Sequence, residues 1–386
     1  MTHEPHYIWQ HPSWPDFRWD GKALIKALGE CRFQQGSLLT QMRELGMEVR
    51  QQARAEVLIE EALKTSAIEG ETLDPKAVRS SVARRLDLPT AGLPDIRDRH
   101  ADGVVAILLE ATRNHDSPLT AERLFSWHAA LFPTGYSGLR KIRAAAWRDD
   151  RDGPMQVVSG PVSREKVHYE APPAKQVPHE MKRFLRWWEV SRRKEDGLLR
   201  AAIAHLWFVA IHPFDDGNGR IARTLTEMAL AQDEALATRY YSLSSQIMAD
   251  SASYYAVLEC INKGNGEITE WLLWFLDCMT RAILRSNGLL NNVLAKARYW
   301  QSHFQTELNE RQRKVINRLL EAGPDGFEGG MTNRQYASMT HVSRATAQRE
   351  LADLVKKGIL RQNQAKGRNV SYSLVWEDSV RFQEPR

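Results

Sequence analysis

Apolar positions recur along most of this chain at the three-and-four spacing of helices buried on one side. From about Gly21 to Ser66 the pattern is helical, with Leu38, Met42 and Leu45, then Val57, Leu58 and Leu63, on the apolar face. It closes in Thr65-Ser-Ala-Ile-Glu69-Gly70, where Gly70 suits the position just past a helix end. Residues 71–150 continue mainly helical, with a loop at Pro89, Gly92 and Pro94, a helix start at Pro118-Leu-Thr120, and Trp127 and Phe132 as core. Between Gly153 and Pro173 the period changes: Met155 to Pro161 and Val167 to Tyr169 are short β-like runs around a turn. A helix over Val177 to Val190 carries Trp187 and Trp188, and Ala201 to Ile211, apolar except for His205, predicts a buried helix. Helical patterns follow over Ile221 to Leu230, Ser253 to Asn262, Trp271 to Leu284 and Leu289 to Leu308. A compact unit comes last. It has helices over Arg311 to Leu320, Thr332 to Met339 and from Ser343 to Lys357, the last ended by Gly358, then strands Ile359 to Gln362 and Val370 to Leu374. Its third helix would bury Ala347, Leu351, Leu354 and Val355. Ahead of all this, Trp9, Trp14 and Trp19 lie among prolines, as in a short extended arm packed on the body.

A chain of 386 residues is expected to form roughly two or three domains. Its formal charge of +5 is unevenly placed: Arg311 to the end holds 14 Lys and Arg against 8 Asp and Glu, so that piece carries the whole basic excess. Cys31, Cys260 and Cys278 show no metal spacing and suggest a reducing compartment without disulfides. The N-terminus lacks a signal-peptide pattern, and Ile268 to Leu284 is interrupted by Glu270, Asp277 and Arg281, so a cytoplasmic protein with no membrane partner is expected.

Joining two helices read as core runs His212-Pro-Phe-Asp-Asp-Gly-Asn-Gly-Arg220-Ile-Ala-Arg223, the densest collection of chemically demanding residues in the chain. Gly217 and Gly219 free the backbone and leave room for a ligand. The helix beginning just past them turns its free N–H groups and positive dipole end toward the loop, an arrangement that binds phosphate. Arg220 and Arg223, three apart, can reach phosphate oxygens from one face. Asp216 is a hard oxygen ligand suited to Mg²⁺, and His212 titrates near neutrality and can take a proton from a hydroxyl. A purely structural turn accounts for the glycines but not for His, Asp and two Arg together. His205, His212 and Asp216 as ligands of a metal-dependent phosphohydrolase need further ligands that the chain does not place, and the P-loop pattern is absent.

This stretch resembles the signature of Fic-domain proteins, H-x-F-x-[DE]-G-N-G-R-x-x-R, at every fixed position. The resemblance implies a mainly α protein, with a helical Fic core and a short β-hairpin flap, that transfers AMP from ATP to a Ser, Thr or Tyr hydroxyl of a target protein and of itself. It implies His212 as general base, Asp216 as the Mg²⁺ ligand, and Asn218 with the Gly217 and Gly219 amides around the α- and β-phosphates. Arg220 and Arg223 would take the outer phosphates. Thr65-x-x-x-Glu69-Gly70 resembles the family's inhibitory motif, which implies that Glu69 pairs with Arg223 and withholds it from the γ-phosphate. In some relatives a similar glutamate supports removal of AMP. The flap would be the β-like segment, with Val157, Val158 and Ser159 against the target backbone, and Tyr254 and Asn262 would stack on and hydrogen-bond the adenine.

The last unit resembles a winged helix, which implies Arg344, Thr346, Gln348 and Arg349 in a major groove and Lys366 and Arg368 on phosphate. Such modules also dock proteins or form dimers, so DNA, a protein partner and a homodimer stay open. The expected organisation is an arm and helical region with the inhibitory motif (1–115), a Fic core (116–290), a linker helix (291–308) and a winged-helix domain (309–386). The alternative class is a winged-helix transcription regulator whose core senses nucleotide.

Overall fold

The computed structural model describes residues 6–88, 96–151, 153–159, 166–321, 330–363 and 370–375, and divides into two units, Met1–Ser286 and Asn287–Arg386. The described residues are mainly helical, with small antiparallel sheets. Among them, no helix is long and apolar enough to cross a membrane.

Several helices of the first unit begin where a short polar side chain answers the free amides of a first turn. Asp20 accepts from Lys22 N at 2.9 Å to start α1 (Gly21–Glu44). The single helix expected over 21–66 is two: Leu45 and Gly46 turn extended, and α2 (Met47–Ile68) starts afresh, glycine being a weak helix former. Asp74 caps α3 (Pro75–Arg85), Asp98 caps α4 (Arg99–Arg113), and Thr120 caps α5 (Ala121–Leu131). Two hairpins follow, β1 (Tyr136–Ser137) with β2 (Arg140–Lys141), and β3 (Gln156–Ser159) with β4 (Lys166–Glu170). In the second, Val157 faces Tyr169 and Val158 faces Val167, so His168 is an extra, bulged residue.

Past α6 (Val177–Ser191), the centre is the pair α7 (Gly197–Ile211) and α8 (Asn218–Glu234). Apolar residues lie all round α7, which suits a helix enclosed on every side, and nearly all its residues are buried. Each of Phe208, Leu206 and Ile211, buried here, is worth about 1.5–3 kcal/mol. Helix α2 packs across α3, α4, α8 and α9 (Leu243–Ala249), which carries its C-terminal end to the start of α8. Then come α10 (Ser251–Asn262) and α11 (Thr269–Ser302). The two helices expected over 271–308 are one: α11 runs through Gly288, which a helix tolerates, and stops at Ser302. The N-terminal arm is not extended but forms a 3-10 turn at Ile8–Gln10. Its tryptophans tie it down: Trp9 Nε1 donates to Glu170 O at 2.7 Å and Trp14 Nε1 to Glu180 Oε2 at 2.8 Å.

In the second unit α12 (Glu310–Glu321) precedes β5 (Met331–Thr332), α13 (Asn333–Thr340), α14 (Arg344–Lys356), β6 (Leu360–Gln362) and β7 (Ser371–Leu374). The strands form an antiparallel sheet of order β5-β7-β6, with β5 added to the two strands expected. Thr332 and Gln335 make a capping box, and Ser343 Oγ accepts from Thr346 N at 3.1 Å. Leu351 and Leu354 join Val315, Ile316, Met331 and Tyr336 in the core. Val355, expected inside, is 37% exposed, since the neighbouring Leu354 takes the inward position. Lys366 and Arg368 lie outside the described residues.

Candidate active site

The loop between α7 and α8 is built by its own side chains. Asn218 Oδ1 accepts from Phe214 N at 2.9 Å while its Nδ2 donates to Phe214 O at 2.8 Å, closing the turn. Asn218 is buried, and both ends of its side-chain amide shape the loop. Gly217, with φ of 78°, is in the left-handed region, and a Cβ there would sit 2.8 Å from Phe132. His212 ends α7 in the same region, φ 52° and ψ 57°, a conformation retained where the surroundings over-determine it. The wholly buried Arg148 supplies that restraint, donating to His212 O at 2.7 Å and to Pro172 O.

Beside the loop lies a cleft of about 880 Å³ lined by Glu69, Ser137, Val157, Val158, Ser159, His212, Asp216, Gly219, Tyr254 and Asn262, among others. His212 Nδ1 donates to Val209 O at 3.2 Å, which leaves Nε2 as the unprotonated nitrogen. Burial pushes its pKa from 6.5 down to about 4, helped by Arg148 and opposed by the Val209 carbonyl, Glu69 and Asp216. At neutral pH it is therefore the free base. Asp216 Oδ1 accepts from Gly217 N, its Oδ2 from Ser137 Oγ, and its carbonyl faces His128 Nε2 at 3.1 Å. Among the described residues no cluster of three or more His, Cys, Asp or Glu could hold a metal. A lone carboxylate fits Mg²⁺ that arrives with phosphates and keeps most of its waters.

The α2 end reaches this loop. Arg223 Nη2 lies 2.7 Å from Glu69 Oε1, while Thr65 accepts from Arg223 Nε through its Oγ1 and from Nη2 through its carbonyl, both at 2.8 Å. Glu69 is the C-cap of α2 and Gly70, φ 77°, follows it. The carboxylate lies over Gly219, where any Cβ would strike it. Arg220 pairs with Glu71 and stacks over the Phe132 ring at 4.9 Å. Glu71, which also has His100 at 3.7 Å, was not foreseen; nothing local in the sequence marks it. Neither arginine lines the open cleft, yet Arg223 Nη1 is buried without a hydrogen-bond partner.

Tyr254 lines the cleft but is 2% exposed, its hydroxyl 2.8 Å from His205 Nε2 and its ring among Trp271, Trp274 and Tyr255. Its neighbour Tyr255, 48% exposed and also lining the cleft, offers the more open face and was missed. Asn262 Oδ1 is buried with no partner. His205 uses both nitrogens, on Thr226 and Tyr254, so it is not poised to join His212 and Asp216 around a metal. In the second unit Arg344, Gln348 and Arg349 are exposed on α14 and Thr346 is half-buried.

Residues 118–230 match the Fic/DOC family, and residues 7–88 match the family described as Domain of unknown function (DUF4172). The Uridine 5'-monophosphate transferase of Xanthomonas campestris pv. campestris (strain 8004) is 30% identical over 127 residues, 30% of this chain; the chain spans 21% of that relative's length. A Fic family protein from Desulfovibrio desulfuricans G20 superposes with a TM-score of 0.53 at 19% identity, over 93% of this chain and 97% of the other. A Fic domain containing signaling protein from Bacteroides thetaiotaomicron VPI-5482 gives 0.52 at 15% identity, over 70% and 98%. Both are likenesses of fold.

Proposed function

We propose that the Fic/DOC domain carried at residues 118–230 makes this chain a nucleotidyltransferase that moves AMP from ATP to a hydroxyl side chain of a protein, restrained by its own Glu69. The observation that carries the reading is the meeting in one cleft of a neutral His212, the Asp216 carboxylate and the amide end of α8, with Arg223 behind it held by Glu69. In the reaction His212 Nε2 accepts the proton of the attacking hydroxyl while the α8 amides and Arg223 take developing phosphate charge. Asp216 would hold Mg²⁺, which neutralises the phosphates. The edge of β3, at Val157 and Val158, offers backbone to an extended target segment. Asn262 Oδ1 offers an acceptor to a base amino group.

With Glu69 on Arg223, ATP lacks its outer phosphate contact and binds unproductively. The exposed Arg344, Gln348 and Arg349 of α14 belong to a winged-helix module that recruits the target or DNA. The test is label transfer from α-labelled ATP and, in parallel, α-labelled UTP, into lysate proteins by the native chain, Glu69→Gly, and Glu69→Gly with His212→Ala. Transfer from ATP that rises with the first change and disappears with the second is expected. Transfer from UTP alone would replace adenylyl by uridylyl transfer, and no gain from Glu69→Gly would discard the inhibition.

A further inference from the structure

In the cleft that His212 lines, the flap carries a second histidine with partners of its own. Ser159 Oγ lies 2.6 Å from His168 Nε2, His168 Nδ1 lies 2.7 Å from Glu259 Oε2, and Glu259 is held by Lys263 at 2.7 Å. This is a hydroxyl, imidazole and carboxylate in line, the arrangement that activates a serine oxygen in enzymes of unrelated fold. Three elements bring it together, β3, β4 and α10, and all three residues line the cleft of His212 and Asp216. The bulge makes it possible. His168 is the one residue of β4 that has no partner on β3, and that extra residue re-aims its ring toward Ser159 and α10. Tyr169 next to it still points inward, 2% exposed, its hydroxyl on Ala210 O at 2.6 Å, so the flap is anchored while Ser159 stays exposed. Hydrogen bonds from Lys263 and His168 hold the Glu259 carboxyl down to about 2, so it is an anion at any working pH.

We propose that Ser159 is itself a nucleotide acceptor, activated by His168 and Glu259 rather than by His212. The proposal rests on the nucleotidyl-transfer reading above and names a substrate of that same site. Ser159 Oγ attacks the α-phosphorus of a nucleoside triphosphate in the cleft. The Oγ–P bond forms, the bond from α-phosphorus to the bridging oxygen breaks, and pyrophosphate leaves with that electron pair. The hydroxyl proton passes to His168 Nε2, and Glu259 stabilises the imidazolium through Nδ1–H. The product is a phosphodiester of the nucleoside monophosphate on the flap strand, where it obstructs the edge at Val157 and Val158.

Full-length native chain, and the same chain with Glu69→Gly, are incubated with Mg²⁺ and ATP or UTP, digested, and mapped by tandem mass spectrometry, with lysate proteins present in a parallel arm. A nucleoside monophosphate on Ser159 is expected, retained in Ser159→Thr and absent from that peptide in Ser159→Ala. His168→Gln is expected to slow it by about 100-fold or more, and Glu259→Gln by less, with melting temperatures that confirm folding. In the Glu69→Gly background, His168→Gln loses the Ser159 label while keeping transfer to lysate proteins. Label on lysate proteins, or on other residues of this chain, with Ser159 unmodified overturns the proposal and leaves nucleotidyl transfer standing; no label on any protein overturns both. Ser159 that reacts with a fluorophosphonate but never with nucleotide would make it an acyl-transfer nucleophile instead, and also overturns the proposal.

Discussion

Replacing Glu69 with glycine removes the carboxylate that pairs with Arg223, and the size of the effect follows from how the pair is housed. Removing one partner of a fully buried ion pair costs about 3–5 kcal/mol, and a hydrogen bond to a charged group is worth about 1.5–3 kcal/mol. The Arg223 side chain is 2% exposed but that of Glu69 is 29% exposed, and Thr65 still accepts two bonds from the guanidinium after the change. The low end applies, about 2 kcal/mol. Two opposite readouts come from this one number. Without nucleotide, the variant melts roughly 4–8 °C lower, at about 2–4 °C per kcal/mol for a unit of this size. With ATP, which no longer has to displace the carboxylate to reach Arg223, productive binding improves by about 30-fold. Initial rates of α-label transfer and melting curves with and without ATP and Mg²⁺ measure both on the same preparations. A lower melting temperature with an unchanged transfer rate would refute the reasoning, because the ion pair would then be structural only.

His128, His205 and His212 are pushed by burial from 6.5 to about 4, about 3 and about 4. The unfolded chain binds these protons below pH 6.5 and the folded chain refuses them, so stability falls as pH drops from about 6.5 toward 4, by up to about 1.4 kcal/mol per pH unit for each histidine. Melting temperatures between pH 7 and pH 5 test this, and transfer rates should show no ionisation of His212 between pH 6 and 8. Arg148→Ala removes the donors on His212 O and Pro172 O and should cost about 3 kcal/mol in denaturant unfolding, with loss of transfer, because two buried carbonyls are orphaned. Gly217→Ala puts a Cβ against Phe132 in a left-handed residue and should cost about 2 kcal/mol by the same measurement. Glu71→Gln should raise transfer less than Glu69→Gly does, because Arg220 keeps its place over Phe132; an equal or larger rise in rate would contradict this.

What the sequence made legible was local. The loop from His212 to Arg223 closes on itself through Asn218 and Phe214, so its residue types speak for its geometry within twelve positions. Glu69 stood out as an acid at a helix end, where the dipole disfavours it, and so called for a cation. Glu71 carried no such mark, because its meeting with Arg220 across the chain depends on how α2 lies over α8. Adjacent residues of one helix point about 100° apart, and an aromatic pair such as Tyr254 and Tyr255 does not announce which member faces the core. His168 was hidden by the bulge, since strict alternation gives no sign of where a strand gains a residue. The strands at Val157 were legible as β; the register that places Ser159 on His168 was not.

The two acids that clasp Arg220 and Arg223 precede them in the chain by 149 and 154 residues; Glu69 caps the long helix α2 and Glu71 lies just past it. A growing polypeptide emerges from its N-terminus. The α2 segment and both acids are therefore synthesised before the loop. The arginines are synthesised last, so the loop is never complete in a chain that lacks the acids it pairs with.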